Sequence, residues 1–243
     1  MILDLFGNLE EIKPKPTKKQ KCKLAKSHYR ARINSFYQSD IERCIETISI
    51  YDMPVVKANT IIPQFTSTTP FDRVKTGPND SIVVFYTHDN RFAPALNHPW
   101  DYIELLKSFV GVIGPDLSQY NDMNYAIRLH NSYWNKAITA YWQNNGVNMY
   151  PNVTWNLPNS YEYSAAGFPK HSVIAINSIG ALNSNFTKSS WLNGYNYMVK
   201  ELQPIWILRY GPKINGEIEE ISSYLPNVQL QIIQNYGRKR NRK

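Results

Sequence analysis

Between residues 50 and 236 the chain carries a series of short apolar runs, each followed by a helical or loop-like segment. The runs are Pro54-Val55-Val56, Ser81-Ile82-Val83-Val84-Phe85-Tyr86, Phe109-Val110-Gly111-Val112-Ile113 and Gly146-Val147-Asn148-Met149-Tyr150. They continue with Ser172-Val173-Ile174-Ala175-Ile176, Pro204-Ile205-Trp206-Ile207-Leu208 and Val228-Gln229-Leu230-Gln231-Ile232-Ile233. Most are continuous rather than alternating, which predicts parallel strands covered on both faces. The last alternates, as an edge strand or a barrel wall does.

Helical spacing fills the gaps. Residues 100–108 follow Pro99, a favourable first-turn position, and residues 121–145 form the longest helical pattern, stopped by Gly146. Residues 187–202 and 216–224 supply two more, and Ile41, Ile45 and Ile48 place another over 33–50. Strand and helix in alternation predict an α/β fold with a largely parallel sheet of about seven strands and covering helices. Seven strands suit a barrel-like (TIM-like) closure slightly better than an open sheet. With no repeat and no composition break, residues 28–236 read as a single domain between a basic arm, 1–27, and a basic tail, 237–243.

Composition adds to this at the ends. Hydrophobic residues make up 42% of the chain, enough to build a core, so the net charge of +8 is not a mark of general disorder. Much of the excess is terminal: residues 13–26 hold seven lysines, among them Lys18, Lys19 and Lys21, and residues 238–243 hold five basic residues, beginning Arg238-Lys239-Arg240. Such segments attract phosphate backbones in a salt-dependent way, which makes nucleic acid a candidate partner; a solvated tail is the simpler reading. No apolar run reaches the length of a membrane helix, and the N-terminus, with Asp4 early, is not a signal peptide. Cys22 and Cys44 read as reduced thiols, so a cytoplasmic protein is expected. Oligomeric state has no sequence signature.

In parallel α/β sheets ligands gather at the carboxyl ends of strands. The residues standing there are Thr87-His88-Asp89-Asn90-Arg91-Phe92, Gly114-Pro115-Asp116-Leu117-Ser118, Asn152 with Thr154, Trp155 and Asn156, and Asn177-Ser178. Asp89 and Asp116 follow adjacent strands, an arrangement that divides acid and base work or holds a divalent cation through water. Arg91 suits a phosphate or carboxylate, or an ion pair with one of the acids. Asp116 and Ser118 also have a plain reading as helix caps, and Trp155 as a lid over the core rather than a stacking surface. Asn131 and Asn135, four apart on the long helix, face one site. Asp116 and Asp89 are thus the catalytic candidates, with Arg91, Ser118, Asn131, Asn152, Trp155 and Ser178 around the substrate. The phosphate-binding glycine loops and the His-Glu-x-x-His zinc motif are missing, and the five histidines lack metal spacing. No cofactor or metal is indicated by any motif.

Several segments in order resemble one domain family: Phe85-Tyr86-Thr87-His88-Asp89-Asn90-Arg91-Phe92, then Gly111-Val112-Ile113-Gly114-Pro115-Asp116-Leu117-Ser118, then Ala140-Tyr141-Trp142-Gln143, Tyr150-Pro151-Asn152-Val153-Thr154-Trp155 and Gly167-Phe168-Pro169-Lys170-His171-Ser172. The chain resembles the DUF4417 family, a domain of unknown function met in bacteria, phages and mobile elements, over about residues 50–235. It departs in having one acid before Arg91 where members often have two, and in lacking a proline after Met123. The resemblance implies a phage or mobile-element setting and no particular reaction.

Three function classes remain open on the sequence: an enzyme acting on nucleic acid or a nucleotide-like substrate, a non-catalytic nucleic-acid-binding accessory protein, and a small-molecule glycoside or nucleoside hydrolase.

Overall fold

The structure is a computed structural model that describes residues 2–3, 9–10, 39–42, 44–74 and 79–225. It divides into two units, Met1–Glu46 and Thr47–Lys243. In the first, β1 (Ile2–Leu3) pairs antiparallel with β2 (Leu9–Glu10), and α1 (Ser39–Glu42) is one turn long. The strand predicted over 228–233 and the basic residues Lys18, Lys19, Lys21, Arg238, Lys239 and Arg240 lie outside the described residues.

The second unit opens with an antiparallel pair, β3 (Thr47–Ile48) and β4 (Met53–Pro54). Of the helix predicted over 33–50, residues 33–38 lie outside the described residues and 39–42 are helical, but Thr47–Ile48 are strand and the turn after them holds Ser49 and Asp52 at φ of 71° and 49°. Parallel sheet follows. β5 (Ser67–Pro70), β6 (Asn79–Val84), β7 (Phe109–Ile113) and β8 (Met149–Tyr150) form one sheet in chain order; β9 (Val173–Asn177), β10 (Trp206–Tyr210) and β11 (Ser222–Tyr224) form another. Every ladder in both is parallel. Five helices connect these strands: α2 (Asp89–Asn97), α3 (Ile103–Lys107), α4 (Tyr125–Asn144), α5 (Tyr161–Ala165) and α6 (Asn185–Leu202).

The expectation of one sheet of seven strands is therefore corrected to sheets of four and three. The reason lies at Pro151. A continuing ladder would need an N–H from residue 151 to the Val173 carbonyl, and proline has none. That carbonyl instead accepts from the Ser172 hydroxyl at 3.0 Å, and the Val173 N–H turns away to the Asn59 carbonyl at 2.7 Å. One parallel bridge survives, Asn152 to Ala175, with Ala175 N–H donating to the Pro151 carbonyl at 2.7 Å and Val153 N–H to the Ala175 carbonyl at 2.9 Å. Among the described residues no ladder joins β5 to β11.

Period-two alternation sorts the strand side chains into two layers. Ile82, Val84, Tyr86, Ile113, Tyr150, Val173, Ala175, Leu208, Tyr210 and Leu225 form one buried cluster that includes residues of both sheets. The intervening residues Ile174, Ile176 and Ile207 pack with Tyr195, Met198 and Leu202 of α6. On the first sheet Phe85 stacks on Phe71 at 4.7 Å and meets Phe92 of α2 and Trp142 of α4.

One further expectation is corrected, and one strand has no counterpart in the sequence pattern. Residues 216–224 are not a helix: buried Arg209 donates to Glu217 at 2.9 Å, to the Tyr224 hydroxyl and to the Ile218 carbonyl, both at 2.6 Å, which fixes the segment as a loop leading into β11. And β5, with sequence Ser-Thr-Thr-Pro, has no apolar run to announce it, although Thr68 is buried against its neighbours.

Candidate functional site

The loops after β6, β7, β8 and β9 open onto one cavity of about 440 Å³. Its wall includes Tyr86, His88, Asp116, Ser118, Trp155 and Trp191. The site is built around residues 114–120. Gly114 begins this loop where a side chain is excluded, because a Cβ there would stand 2.5 Å from the Thr139 hydroxyl of α4. One face of α4 then clamps the loop. Asn135 accepts the Leu117 N–H at 2.8 Å and donates back to the Leu117 carbonyl, and Asn131 donates to the Ser118 carbonyl at 2.7 Å. Farther along, Asn156 donates to the Gln119 carbonyl while its own oxygen accepts from buried Arg128 at 2.7 Å.

Asp89, in the first turn of α2, grips the same loop. Its two oxygens accept the Ser118 hydroxyl at 2.9 Å and the Ser118 N–H at 3.2 Å. An acid here also complements the helix dipole. Asp89 does not line the cavity; it positions the loop, and its charge reaches Asp116 from behind.

Asp116 is the part-buried carboxylate of the cavity. One oxygen accepts the Asn152 amide at 3.0 Å and the other the Asn177 amide at 3.2 Å. Both amides are oriented by their other ends. The Asn152 oxygen accepts the Tyr86 hydroxyl at 2.9 Å, and the Asn177 oxygen accepts the Ile179 N–H at 2.8 Å, so each must turn its NH₂ toward Asp116. Removal from water pushes the Asp116 carboxyl up to about 6; the Asn177 and Asn152 hydrogen bonds oppose the rise and the Asp89 charge adds to it. Tyr86 is held well above its ordinary value by burial and by the neighbouring Asp116 charge.

An aromatic wall completes the site. Trp155 lies so close over Gly194 of α6 that no Cβ fits there. Trp155 and Trp191 have ring centroids 5.4 Å apart, Trp191 stacks on Tyr195, and the Trp191 indole N–H donates to the Asn177 carbonyl at 2.9 Å. Asn177 thereby ties the wall to the carboxylate.

Of the sequence-predicted residues, Asp116, Ser118 and Trp155 face the cavity, and Asn152 orients Asp116. Asp89 and Asn131 stand behind the loop. Arg91 is turned away, paired with Asp72 at 2.8 Å. Ser178 donates to the Pro212 carbonyl at 2.6 Å and ties the end of β9 to the loop after β10. Tyr86, His88 and Asn177, each at or just past the end of its strand, join the site beyond the residues that the sequence marks as candidates; Trp191 lies within a helix, and no strand-end argument reaches it. Among the described residues no three His, Cys, Asp or Glu side chains are gathered as metal ligands, and no helix is long and apolar enough to cross a membrane.

No solved structure matches the chain. The Gene 1 protein of Mycobacterium phage L5 is 25% identical over 187 residues, covering 76% of this chain and 82% of that protein. The Gene 1 protein of Mycobacterium phage D29 is 25% identical over 165 residues, covering 67% of this chain and 61% of its own length. The family model for a domain of unknown function, DUF4417, matches residues 45–229, most of the folded body that carries the cavity, and the chain belongs to that family.

Proposed function

We propose that the cavity is the active site of an enzyme acting on nucleic acid or a nucleotide-like substrate, with Asp116 as its reactive carboxylate. The observation that carries this reading is the setting of Asp116 between two oriented amide donors at the wall of an open cavity. Both amides offer N–H groups, so the arrangement favours the ionised form, and a protonated Asp116 would find neither amide oxygen free. With its carboxyl near 6, Asp116 is charged at neutral pH, ready as a base, as a nucleophile, or as the counter-charge to a developing cation. Asp89, Asn131, Asn135 and Asn152 are positioning residues in this scheme. The two parallel sheets share a single core, and Tyr86 of the first stacks on Tyr210 of the second at 4.4 Å, which supports a barrel-like cup with the cavity at its carboxyl end.

The test is product analysis by chromatography and mass spectrometry after incubation with single-stranded DNA, RNA and a nucleoside mixture. The reading expects a product with the wild type and none with Asp116→Asn. Conversion that survives in the variant rejects it.

A second reading, a non-catalytic nucleic-acid-binding accessory protein, rests on the charge partition. Residues 47–225 hold twelve basic and thirteen acidic residues, whereas 1–46 hold ten and six and 226–243 hold five and none. The basic excess is thus confined to the two ends. Binding that disappears when 1–27 and 238–243 are removed, with no product from any substrate, favours this alternative.

A further inference from the structure

Resting on the reading of the Asp116 cavity as the reactive site, we infer that it takes a nucleoside unit, ring and sugar, and keeps phosphate out. The first reason is charge. Asp116 is an acid in the cavity wall, and among the described residues that line the cavity there is no lysine and no arginine. The arginines fixed by side-chain bonds in this body are engaged elsewhere: Arg91 with Asp72, Arg128 with the Asn156 amide oxygen, Arg209 with Glu217. A phosphate entering the cavity would face a carboxylate with no lysine or arginine to offset it, and His88 as the one basic side chain on the wall.

Of the two helix N-termini beside the cavity, the usual substitute for a cation, one carries an acid and the other a capping side chain. α2, whose leading residues Thr87 and His88 line the cavity, carries Asp89 in its first turn. α6, which follows the lining residues Ile179 and Gly180, has its first turn capped by Ser184, whose hydroxyl accepts the Thr187 N–H at 3.1 Å.

What the cavity does offer suits a flat ring with hydrogen-bond donors. Trp155 and Trp191, tilted 49° to each other, give two apolar ring faces held by Gly194, Tyr195 and the Asn177 carbonyl. Each Asp116 oxygen spends one lone pair on an amide and keeps another for a donor on the ligand, a sugar hydroxyl or a ring or exocyclic N–H. A volume of about 440 Å³ has room for one nucleoside. In a nucleic acid the flanking phosphates would then stay outside, consistent with the even charge balance of residues 47–225.

The experiment titrates the full-length protein at pH 7.5 with adenosine, guanosine, cytidine and thymidine and with their 5′-monophosphates, followed by tryptophan fluorescence. At least one nucleoside should quench, binding about tenfold or more tighter than its monophosphate, a difference of about 1.4 kcal/mol. Asp116→Asn, which removes the repelling charge, should shrink that ratio to about threefold or less. Trp155→Leu should weaken nucleoside quenching. A monophosphate that binds as tightly as its nucleoside, with the same dependence on Trp155, overturns the inference while leaving the role of Asp116 standing; so does a lack of response to every nucleoside. Turnover that survives Asp116→Asn overturns the underlying reading instead, whatever the ligand preference.

Discussion

Replacing Asp116 with asparagine should stabilise the protein at neutral pH, and the size of the effect can be worked out from the site. The carboxyl lies near 6 in the fold against 3.8 ordinarily, so holding it ionised at pH 7.5 costs ~3 kcal/mol. Water in the open cavity lowers this to about 2 kcal/mol. Asparagine is neutral and, like the protonated acid, turns a donor toward Asn152 or Asn177, so the figure already includes the hydrogen bond that a neutral side chain gives up. The net expectation at pH 7.5 is a gain of about 2 kcal/mol. The sign with pH follows from a carboxyl raised in the fold: its relative stabilisation is fully present below 3.8 and is lost as pH rises through about 6. At pH 4 the folded wild type is protonated and, like asparagine, turns a donor toward one of the two amides, so the variant and the wild type should then be about equally stable. Urea denaturation at both pH values reads the difference as a shift in midpoint at constant slope. A variant destabilised equally at pH 4 and pH 7.5 would refute the argument and make Asp116 an ordinary turn residue.

Other perturbations probe the scaffold. Lys136 is buried, donating to the Ser132 hydroxyl at 2.8 Å and the Tyr163 carbonyl at 3.1 Å, and desolvation brings it down to about 7. The wild type should therefore gain about 3 kcal/mol between pH 7 and 9.5, where the unfolded lysine is still charged, and Lys136→Met should flatten that slope in pH-dependent denaturation. Asn135→Ala leaves the Leu117 N–H without its acceptor and should cost about 1–2 kcal/mol by urea midpoint, with a matching loss of activity through the displaced loop. Arg209→Met strands buried Glu217 and should cost about 3–5 kcal/mol in the same assay, whereas the double variant with Glu217→Leu recovers much of it.

The legible parts of the fold were those where burial on both faces leaves a continuous apolar run. β7 coincides with its predicted run, and β6, β9 and β10 fall within two residues of theirs. The long helix α4 and α6 were visible through their periodicity. Polar β5 and β11 were not, because they are held by ladders to a neighbour rather than by apolar patterning. The split at Pro151 depends on where the Val173 carbonyl points, which only the fold decides. At the site, the strand-end rule found Asp116, Ser118 and Trp155, but it paired Asp89 and Arg91 with them as chemistry. Asp89 instead spends both oxygens on Ser118, and Arg91 is drawn off by Asp72, a residue from an unpredicted turn. Trp191 enters from α6, across a distance that no local pattern encodes.

The measurement that bears most directly on the Asp116 cavity is a side-by-side turnover assay of wild type, Asp116→Asn and Asp89→Asn at pH 7.5, with folding checked by denaturation. Asp116→Asn should form no product while remaining at least as stable as wild type. Asp89→Asn should form product slowly from a loosened loop. Full activity in Asp116→Asn, or loss of activity that tracks unfolding alone, would contradict a reactive role for Asp116.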